Sequence, residues 1–147
     1  MKIIIVSDNH RDANVLRKIS ETNNADLYLH AGDSGMSEDE IKPFITVRGN
    51  NDWRKYPLTR IVDGGSIKIL IAHGHLHTQN RLLDIAKKNN CQVVVSGHTH
   101  IIHTKFIDGI YMLNPGSVTY PRGGGKKSYL ILTYNNVEDI KIKIVYL

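Results

Sequence analysis

The sequence is poor in the features that mark disulfide-stapled, secreted and membrane-spanning proteins. Cys91 is the only cysteine in 147 residues, so no disulfide can form within the chain. The longest apolar runs, such as residues 3–6 and 93–95, are far shorter than the ~20 residues of a transmembrane helix. Met1-Lys2 leads directly into a strand-like run and no small-residue cleavage site follows, so we expect no signal peptide. These absences favour a cytoplasmic protein.

Charge is also not concentrated in any one segment. The formal net charge is +5, and the basic residues are dispersed as Arg54-Lys55, Lys87-Lys88, Lys126-Lys127, Lys141 and Lys143. This spread favours a solvated, mildly basic surface, with a field that attracts anionic substrates as the alternative. A dense basic arm of the kind that binds nucleic acid is absent. The hydrophobic fraction of 41% is ordinary for a globular protein, and the length predicts one domain over residues 1–147.

The first half of the sequence alternates strand and helix patterns. Residues 2–7 form a β-branched run that is typical of a buried parallel strand. Residues 13–22 carry Val15, Leu16 and Ile19 at helical spacing. The next predicted elements are a strand at 26–31, a short Ser-capped helix at 37–42 and a strand at 45–48.

The second half of the sequence changes to hairpins. Turn signals at residues 63–65 and 108–109 separate pairs of strand-like segments. The predicted elements are a helix at 78–90 and strands at 60–62, 66–72, 92–96, 104–107, 111–113, 128–133 and 140–145. Alternation followed by hairpins predicts an α/β fold, a four-layer α/β/β/α sandwich of two mixed β-sheets flanked by helices.

Five polar clusters follow one another along the chain, almost all where a predicted strand ends. They are Asp8 and His10, Gly32-Asp33, Gly49-Asn50-Asn51-Asp52, His73-Gly74-His75, and Gly97-His98-Thr99-His100. Sites in open α/β sheets form outside the carboxyl ends of the strands. Because residues two apart in an extended segment point to the same side, we expect Asp8 and His10 to reach one ion, and His98 and His100 to repeat that geometry.

The donors in these clusters are carboxylates, amide carbonyls and imidazoles, without a thiolate. Such a set suits Mn, Fe, Ni, Co or Zn better than Mg or Ca. Two ions roughly 3.5–4 Å apart can share a carboxylate and a water, whose pKa falls towards ~7 to give a hydroxide nucleophile. No Ser or Cys nucleophile motif competes with this interpretation. The clusters therefore predict a two-metal hydrolase site.

The order and local spacing of the clusters resemble the calcineurin-like metallophosphoesterases over nearly the whole chain. Asn114-Pro115-Gly116-Ser117 with Pro121-Arg122 is similar to the fingerprint of the small bacterial and archaeal phosphodiesterase subfamily. The resemblance implies two divalent metal ions, with manganese preferred and nickel, iron, cobalt or zinc also compatible. It assigns one ion to Asp8, His10, Asp33 and His100, and the other to Asp33, Asn50, His73 and His98. Asp33 then bridges the two ions.

The chain departs from the family pattern directly after Asn50. Many members have a His there that assists the leaving group, whereas this chain has Asn51, which can donate a hydrogen bond but not a proton. We expect Asn51 to orient the substrate. Asp52 either accepts a proton from a ligand imidazole or caps the turn before Trp53, and His75 is a candidate for substrate contact. Asn51, Asp52 and His75 are thus the catalytic candidates.

Other polar residues have less specific interpretations. We expect His30 to be a packed neighbour of the site rather than a ligand, and His103 to lie on the surface. His77 either caps the following helix or faces solvent. Arg122 pairs with a substrate phosphate or with a local carboxylate. The sequence leaves open whether Trp53 belongs to the core or to the rim.

These observations predict a phosphoesterase, and among the phosphoesterases a phosphodiesterase acting on small phosphodiesters. The chain has no room for a cap domain, so we expect an open site and no membrane partner, with nucleic acid only as a possible substrate. A homodimer through exposed strands of the second sheet is possible. The rival functions are a non-catalytic scaffold, as in the small retromer subunit of eukaryotes, a nuclease and a phosphomonoesterase.

Overall fold

The computed structural model describes residues 1–53 and 55–147, so Arg54, one of the dispersed basic residues, lies outside the described residues. In chain order the elements are β1 (Lys2–Val6), α1 (Ala13–Thr22), β2 (Leu27–His30), α2 (Glu38–Ile41), β3 (Ile45–Thr46), β4 (Thr59–Asp63), β5 (Lys68–Ala72), α3 (Gln79–Lys88), β6 (Val93–Val95), β7 (His103–Ile107), β8 (Ile110–Asn114), β9 (Ser128–Thr133) and β10 (Lys141–Tyr146). No helix in these two ranges is long and apolar enough to cross a membrane.

The strands form two mixed sheets, as predicted. The first sheet has the order β10-β9-β1-β2-β3, in which β1, β2 and β3 run parallel while β9 pairs antiparallel with both β1 and β10. The second sheet has the order β4-β5-β6-β8-β7, with a parallel centre and antiparallel strands at both edges. The parallel centres place the carboxyl ends of several strands at one edge of each sheet.

Side-chain alternation along β1 explains why this strand is apolar throughout. Ile3 and Ile5 belong to the cluster between the two sheets, where they join residues of β5 and β6. Ile4 and Val6 point the other way and pack with Leu16 of α1 and other residues of the helical layer. A strand that is buried on both faces has no solvent side for polar residues.

Helix α3 covers the outer face of the second sheet. Leu82 and Leu83 pack with Leu70 and Val94 in a third cluster. Thr78 begins the helix by accepting a hydrogen bond from the backbone N–H of Arg81 at 3.1 Å, so the cap considered for His77 is supplied by Thr78. The layers are therefore α1 and α2, the first sheet, the second sheet and α3, which confirms the α/β/β/α sandwich.

Most element bounds differ by one or two residues from the predicted ones, and two local differences concern the third strand and His103. The third strand ends at Thr46 rather than at residue 48. The N–H of Arg48 donates to the carbonyl of Pro57 at 2.9 Å, so the chain leaves the sheet before this residue. His103, expected on the surface, is the first residue of β7, pairs in register with Asn114 and is partly buried.

Candidate metal centre

The predicted ligands meet at the carboxyl ends of the parallel strands, but the backbone there is not extended. Asp8, His10, Asp33, His98 and His100 all have positive φ, between 44° and 67°. Non-glycine residues adopt this left-handed region at a cost of roughly 1–3 kcal/mol each, and such residues gather at functional sites. The expectation that extended segments align Asp8 with His10, and His98 with His100, is therefore wrong. Asp8 and His10 converge because the chain turns at each residue.

The first donor group contains Asp8, His10 and His100. Nε2 of His100 lies 3.1 Å from Oδ1 of Asp8 and 3.3 Å from Nε2 of His10. Nε2 of His10 is 3.8 Å from the same carboxylate oxygen. Three ligand atoms from the loops after β1 and β6 thus surround one point.

The second donor group contains Asp8, Asp33 and His73. Nε2 of His73 lies 3.4 Å from Oδ2 of Asp33 and 3.9 Å from Oδ1 of Asp8. Oδ1 of Asn50 is 3.0 Å from Nε2 of His73 and also 3.0 Å from Nδ1 of His98. The structure therefore brings Asn50 and His98 to the second group.

Both aspartates lie between the two groups. Oδ2 of Asp33 is 3.4 Å from His73 and 4.0 Å from His10, so it is within reach of both groups, as the family resemblance implies for a bridging ligand. Asp8, however, is the residue that the two groups of converging ligand atoms have in common. Asp8, like Asp33, thus lies between the two donor groups.

The hydrogen bonds on the far side of the imidazoles fix which nitrogen faces the centre. Nδ1 of His73 donates to the carbonyl of Ala31 at 2.7 Å, and Nδ1 of His100 donates to the carbonyl of Tyr120 at 2.6 Å. Each Nε2 then carries its lone pair towards the oxygens of the centre. Oδ1 of Asp8 is buried and has no hydrogen-bond partner within the described residues. Converging lone pairs around a buried carboxylate oxygen fit a bound cation.

The electrostatics of the centre also favour positive charge. Burial raises the pKa of the Asp8 carboxyl, and its neighbours His73 and Ser7 offset only part of that effect. Burial would likewise raise the pKa of Asp33, but the adjacent imidazole of His73 and the hydrogen bonds from Asn51 outweigh it and hold that pKa below its ordinary value. Burial acts to lower the pKa of His73, but the opposite effect of Asp33 and Asp8 is larger, so the pKa of His73 lies above its ordinary value. A cation at this point compensates both carboxylates.

Asn51 and Asp52 hold the loops that carry the predicted ligands. The backbone N–H and the side-chain amide of Asn51 donate to the two oxygens of Asp33, each at 2.8 Å. The buried carboxylate of Asp52 accepts from the backbone N–H groups of Asp33, Gly35 and Gly49, each at 2.8 Å. Of the two roles considered for Asp52, the structure therefore supports the cap: Asp52 holds the turn at residues 49–52 and the Asp33 loop, and it does not contact an imidazole among the hydrogen bonds of the described residues.

His30 is a packed neighbour of the centre, as predicted. Its Nδ1 accepts from the N–H of Gly32 at 3.0 Å, and its Nε2 lies 2.9 Å from Oδ1 of Asn9. Complete burial lowers the pKa of His30 to about 3, so the ring is neutral and donates to Asn9 through Nε2. His30 thus connects the loops after β1 and β2.

Several residues that hold the centre together were assigned no structural role from the sequence. Ser117 Oγ donates to the carbonyl of Asp8, and the side-chain amide of Asn114 donates to the carbonyl of Gly97, each at 2.8 Å. The fingerprint Asn114-Pro115-Gly116-Ser117 thus fixes two ligand loops. A Cβ on Gly97 would overlap with Oγ of Ser7 and lie 2.8 Å from Oδ2 of Asp8. In the sequence, the only sign of this close approach is that Gly97 directly precedes the predicted ligand His98.

The remaining candidates lie around the centre. The ring of His75 is 5.3 Å from that of His73 and 6.2 Å from that of His98, and burial is the main cause that lowers its pKa. Arg122 lies in an exposed turn where its N–H donates to the carbonyl of His100 at 3.1 Å. Trp53 is 73% exposed, so it belongs to the rim.

The sandwich and its donor set define a metal-dependent phosphoesterase. The sequence pattern of the calcineurin-like phosphoesterase superfamily domain matches residues 1–137, and the chain belongs to this family. "Probable metallophosphoesterase YsnB" of Bacillus subtilis is 35% identical over 145 residues, covering 92% of this chain and 86% of the relative. Phosphodiesterase MJ0936 of Methanocaldococcus jannaschii is 31% identical over 142 residues, covering 79% and 83%.

Solved structures are similar to the chain over its full length. The crystal structure of a Streptococcus pneumoniae protein, described as a predicted phosphoesterase, superposes with a TM-score of 0.90 at 28% identity and covers 99% of this chain and 88% of its own. Vps29 of Entamoeba histolytica, solved with Zn²⁺, gives a TM-score of 0.75 at 24% identity and covers 99% of each chain. At 24% identity, the similarity to Vps29 shows a shared fold and nothing about function.

Proposed function

We propose that the protein is a phosphodiesterase that works with two divalent metal ions, manganese being the preferred metal. The observation that carries this proposal is the pair of donor groups that share Asp8, with Asp33 within reach of both. Asn50 and His98 add oxygen and nitrogen donors to the second group. Mixed oxygen and imidazole donors suit manganese, nickel, iron, cobalt or zinc.

The residues divide into those that would hold the ions and those that position them. His10 and His100 would serve one ion with Asp8, and His73, Asn50 and His98 the other with Asp33. When bound, two such ions lower the pKa of a shared water towards ~7 and neutralise phosphate oxygens. The chain itself contributes fixed imidazole tautomers, a carboxylate oriented by Asn51, and a partly buried ring at His75 beside the second group.

The chain's own proton donors limit which esters it can cleave. Asn51 stands where many family members have a His, and an amide cannot release a proton at neutral pH. Its side chain donates to Asp33 at 2.8 Å, so positioning the carboxylate is its main role. We therefore expect efficient cleavage of diesters with good leaving groups and slow cleavage of those with poor ones. The name of the relative MJ0936, a phosphodiesterase at 31% identity, supports a diester substrate.

The test combines metal analysis with a matched pair of substrates. The protein is purified without chelator, its metals are quantified, and bis(4-nitrophenyl) phosphate is assayed beside 4-nitrophenyl phosphate with and without Mn²⁺. We expect about two ions per chain and metal-dependent cleavage that favours the diester. Asp33→Asn should abolish turnover, whereas Asp84→Asn, the same change on an exposed face of α3, should leave it unaltered.

Each rival function predicts a different outcome of these assays. A phosphomonoesterase would prefer the monoester, and a nuclease would bind DNA with a steep salt dependence. A scaffold would turn over neither ester, with or without added Mn²⁺. The intact donor set argues against the scaffold, because converging lone pairs around buried Asp8 would otherwise have no function to offset their cost.

A further inference from the structure

A cleft of about 190 Å³ opens directly beside the metal centre. It is lined by His10, Arg11, Asp33, Gly35, Asn51 and Trp53. Two of these residues belong to the proposed ligand set, and Asn51 holds Asp33. Arg11 and Trp53 have no role in the centre itself, yet they form one wall of the same cleft.

Arg11 is held in a fixed place on that wall. Its backbone is left-handed, with φ of 70°, and its N–H donates to the carbonyl of Ser34 at 2.8 Å. A Cβ on Gly35 would lie 2.7 Å from Cγ of Arg11, so only glycine at position 35 leaves room for the arginine stem. Arg11 directly follows His10, and its backbone and the first part of its stem are thus constrained by immediate neighbours.

Trp53 extends the wall into solvent. The guanidinium carbon of Arg11 lies 5.0 Å from the centre of the Trp53 ring, which is a cation–π contact. Trp53 nevertheless remains 73% exposed, the largest exposed fraction among the large hydrophobic residues of the described chain. An indole that is mostly exposed at the mouth of a polar cleft has an aromatic surface available for a ligand.

We propose that Arg11 and Trp53 bind one ester arm of the substrate, and that this arm carries an aromatic group, either an aryl ring or a nucleobase. The inference rests on the proposed function. Arg11 donates two parallel N–H groups to two oxygens of the phosphodiester, for which a guanidinium has the matching geometry. Trp53 stacks against the aromatic group of the arm. Stacking of a base on an aromatic side chain strengthens binding about tenfold or more.

The experiment compares diester anions that differ only in one arm. Dissociation constants for dimethyl phosphate, methyl phenyl phosphate and the methyl ester of thymidine 5′-monophosphate are measured by calorimetry on the Mn²⁺-loaded protein. Their leaving groups are poorer than 4-nitrophenolate, so we expect slow cleavage and a readout that reports binding. Trp53 is the only tryptophan in the chain, so quenching of its fluorescence reports stacking directly. The variants are Trp53→Leu, the aromatic control Trp53→Phe, and Arg11→Gln.

We expect the two diesters that carry a ring to bind about tenfold more tightly than dimethyl phosphate and to quench Trp53 fluorescence. Trp53→Leu should remove the preference, Trp53→Phe should retain most of it, and Arg11→Gln should weaken all three diesters by a similar factor. A preference for the thymidine ester over methyl phenyl phosphate would assign the site to nucleobases, and the reverse to aryl groups. Equal binding of all three diesters, or an unchanged preference in Trp53→Leu, would overturn the proposal.

The failure of this inference is distinguishable from the failure of the proposed function. If bis(4-nitrophenyl) phosphate is cleaved with Mn²⁺ but the ring preference is absent, only the role of Arg11 and Trp53 is wrong. If neither metal binding nor turnover is found, both proposals are overturned.

Discussion

Replacing Asp52 with Asn tests whether this residue is the anchor of the two ligand loops. In the structure Oδ2 of Asp52 accepts the N–H groups of Asp33 and Gly49, and Oδ1 accepts the N–H of Gly35. Asn has the same shape but only one acceptor oxygen. In its best orientation it keeps the bonds from Asp33 and Gly49 and presents its own N–H₂ to Gly35.

The expected loss of stability follows from these three bonds. Removing the charge weakens each of the two retained bonds by about 1 kcal/mol, because hydrogen bonds to charged groups are roughly that much stronger than neutral ones. The third N–H is only partly buried and loses its acceptor at a cost of about 1 kcal/mol. We therefore expect Asp52→Asn to lower the free energy of unfolding by about 3 kcal/mol.

Urea unfolding of the metal-free protein measures this change, and the metal dissociation constant measures its effect on the centre. Since Asp33 and Asn50 both lie on loops that Asp52 holds, we expect metal affinity to fall by about 10–100-fold. Asp12→Asn is the matched control, because Asp12 caps α1 and Asn caps a helix equally well. A free energy of unfolding for Asp52→Asn within about 0.5 kcal/mol of the unaltered protein would refute the anchoring role.

Two further predictions concern other residues packed around the centre. Gly97→Ala should lower metal affinity about tenfold, because the new Cβ would overlap with Oγ of Ser7 and crowd Asp8. Gly65→Ala, in the open turn before β5, should leave metal affinity unchanged in the same titration. His30 has a folded-state pKa of about 3 against an ordinary value of 6.5, so the unfolded chain binds the extra proton first as pH falls. Stability should drop by up to about 1.4 kcal/mol per pH unit below 6.5, and urea unfolding of His30→Gln should show a shallower pH dependence.

The sequence contains enough information for the sandwich because the fold depends on local patterns. The apolar run of β1 indicates a strand buried on both faces, and the alternating elements that follow indicate parallel pairing. Boundaries are less predictable, since they depend on long-range partners. Arg48 leaves β3 because its N–H finds the carbonyl of Pro57, and no local pattern at residues 45–48 reveals that partner.

The predicted ligand residues do come together, but the reason given for Asp8 and His10 does not hold. Residues two apart align in an extended strand, whereas both of these residues are left-handed. Their conformation is imposed by backbone bonds from other parts of the chain, such as the N–H of His10 to the carbonyl of Asp33 at 3.1 Å. The bonds that Asp52 accepts from Asp33 and Gly35, and the role of Ser117, were equally hidden, because these partners are backbone groups of distant loops.

The positive φ angles explain how the polypeptide alone can prepare a site for cations. Each left-handed ligand costs roughly 1–3 kcal/mol, so five of them form a large unfavourable contribution to folding. Hydrogen bonds that the same loops form with Asp52, His30 and Ser117 offset this cost without any ion. The imidazole tautomers are likewise fixed by carbonyls of Ala31 and Tyr120. Metal binding therefore needs little reorganisation, and weakening these supports should reduce metal affinity even where every ligand is retained.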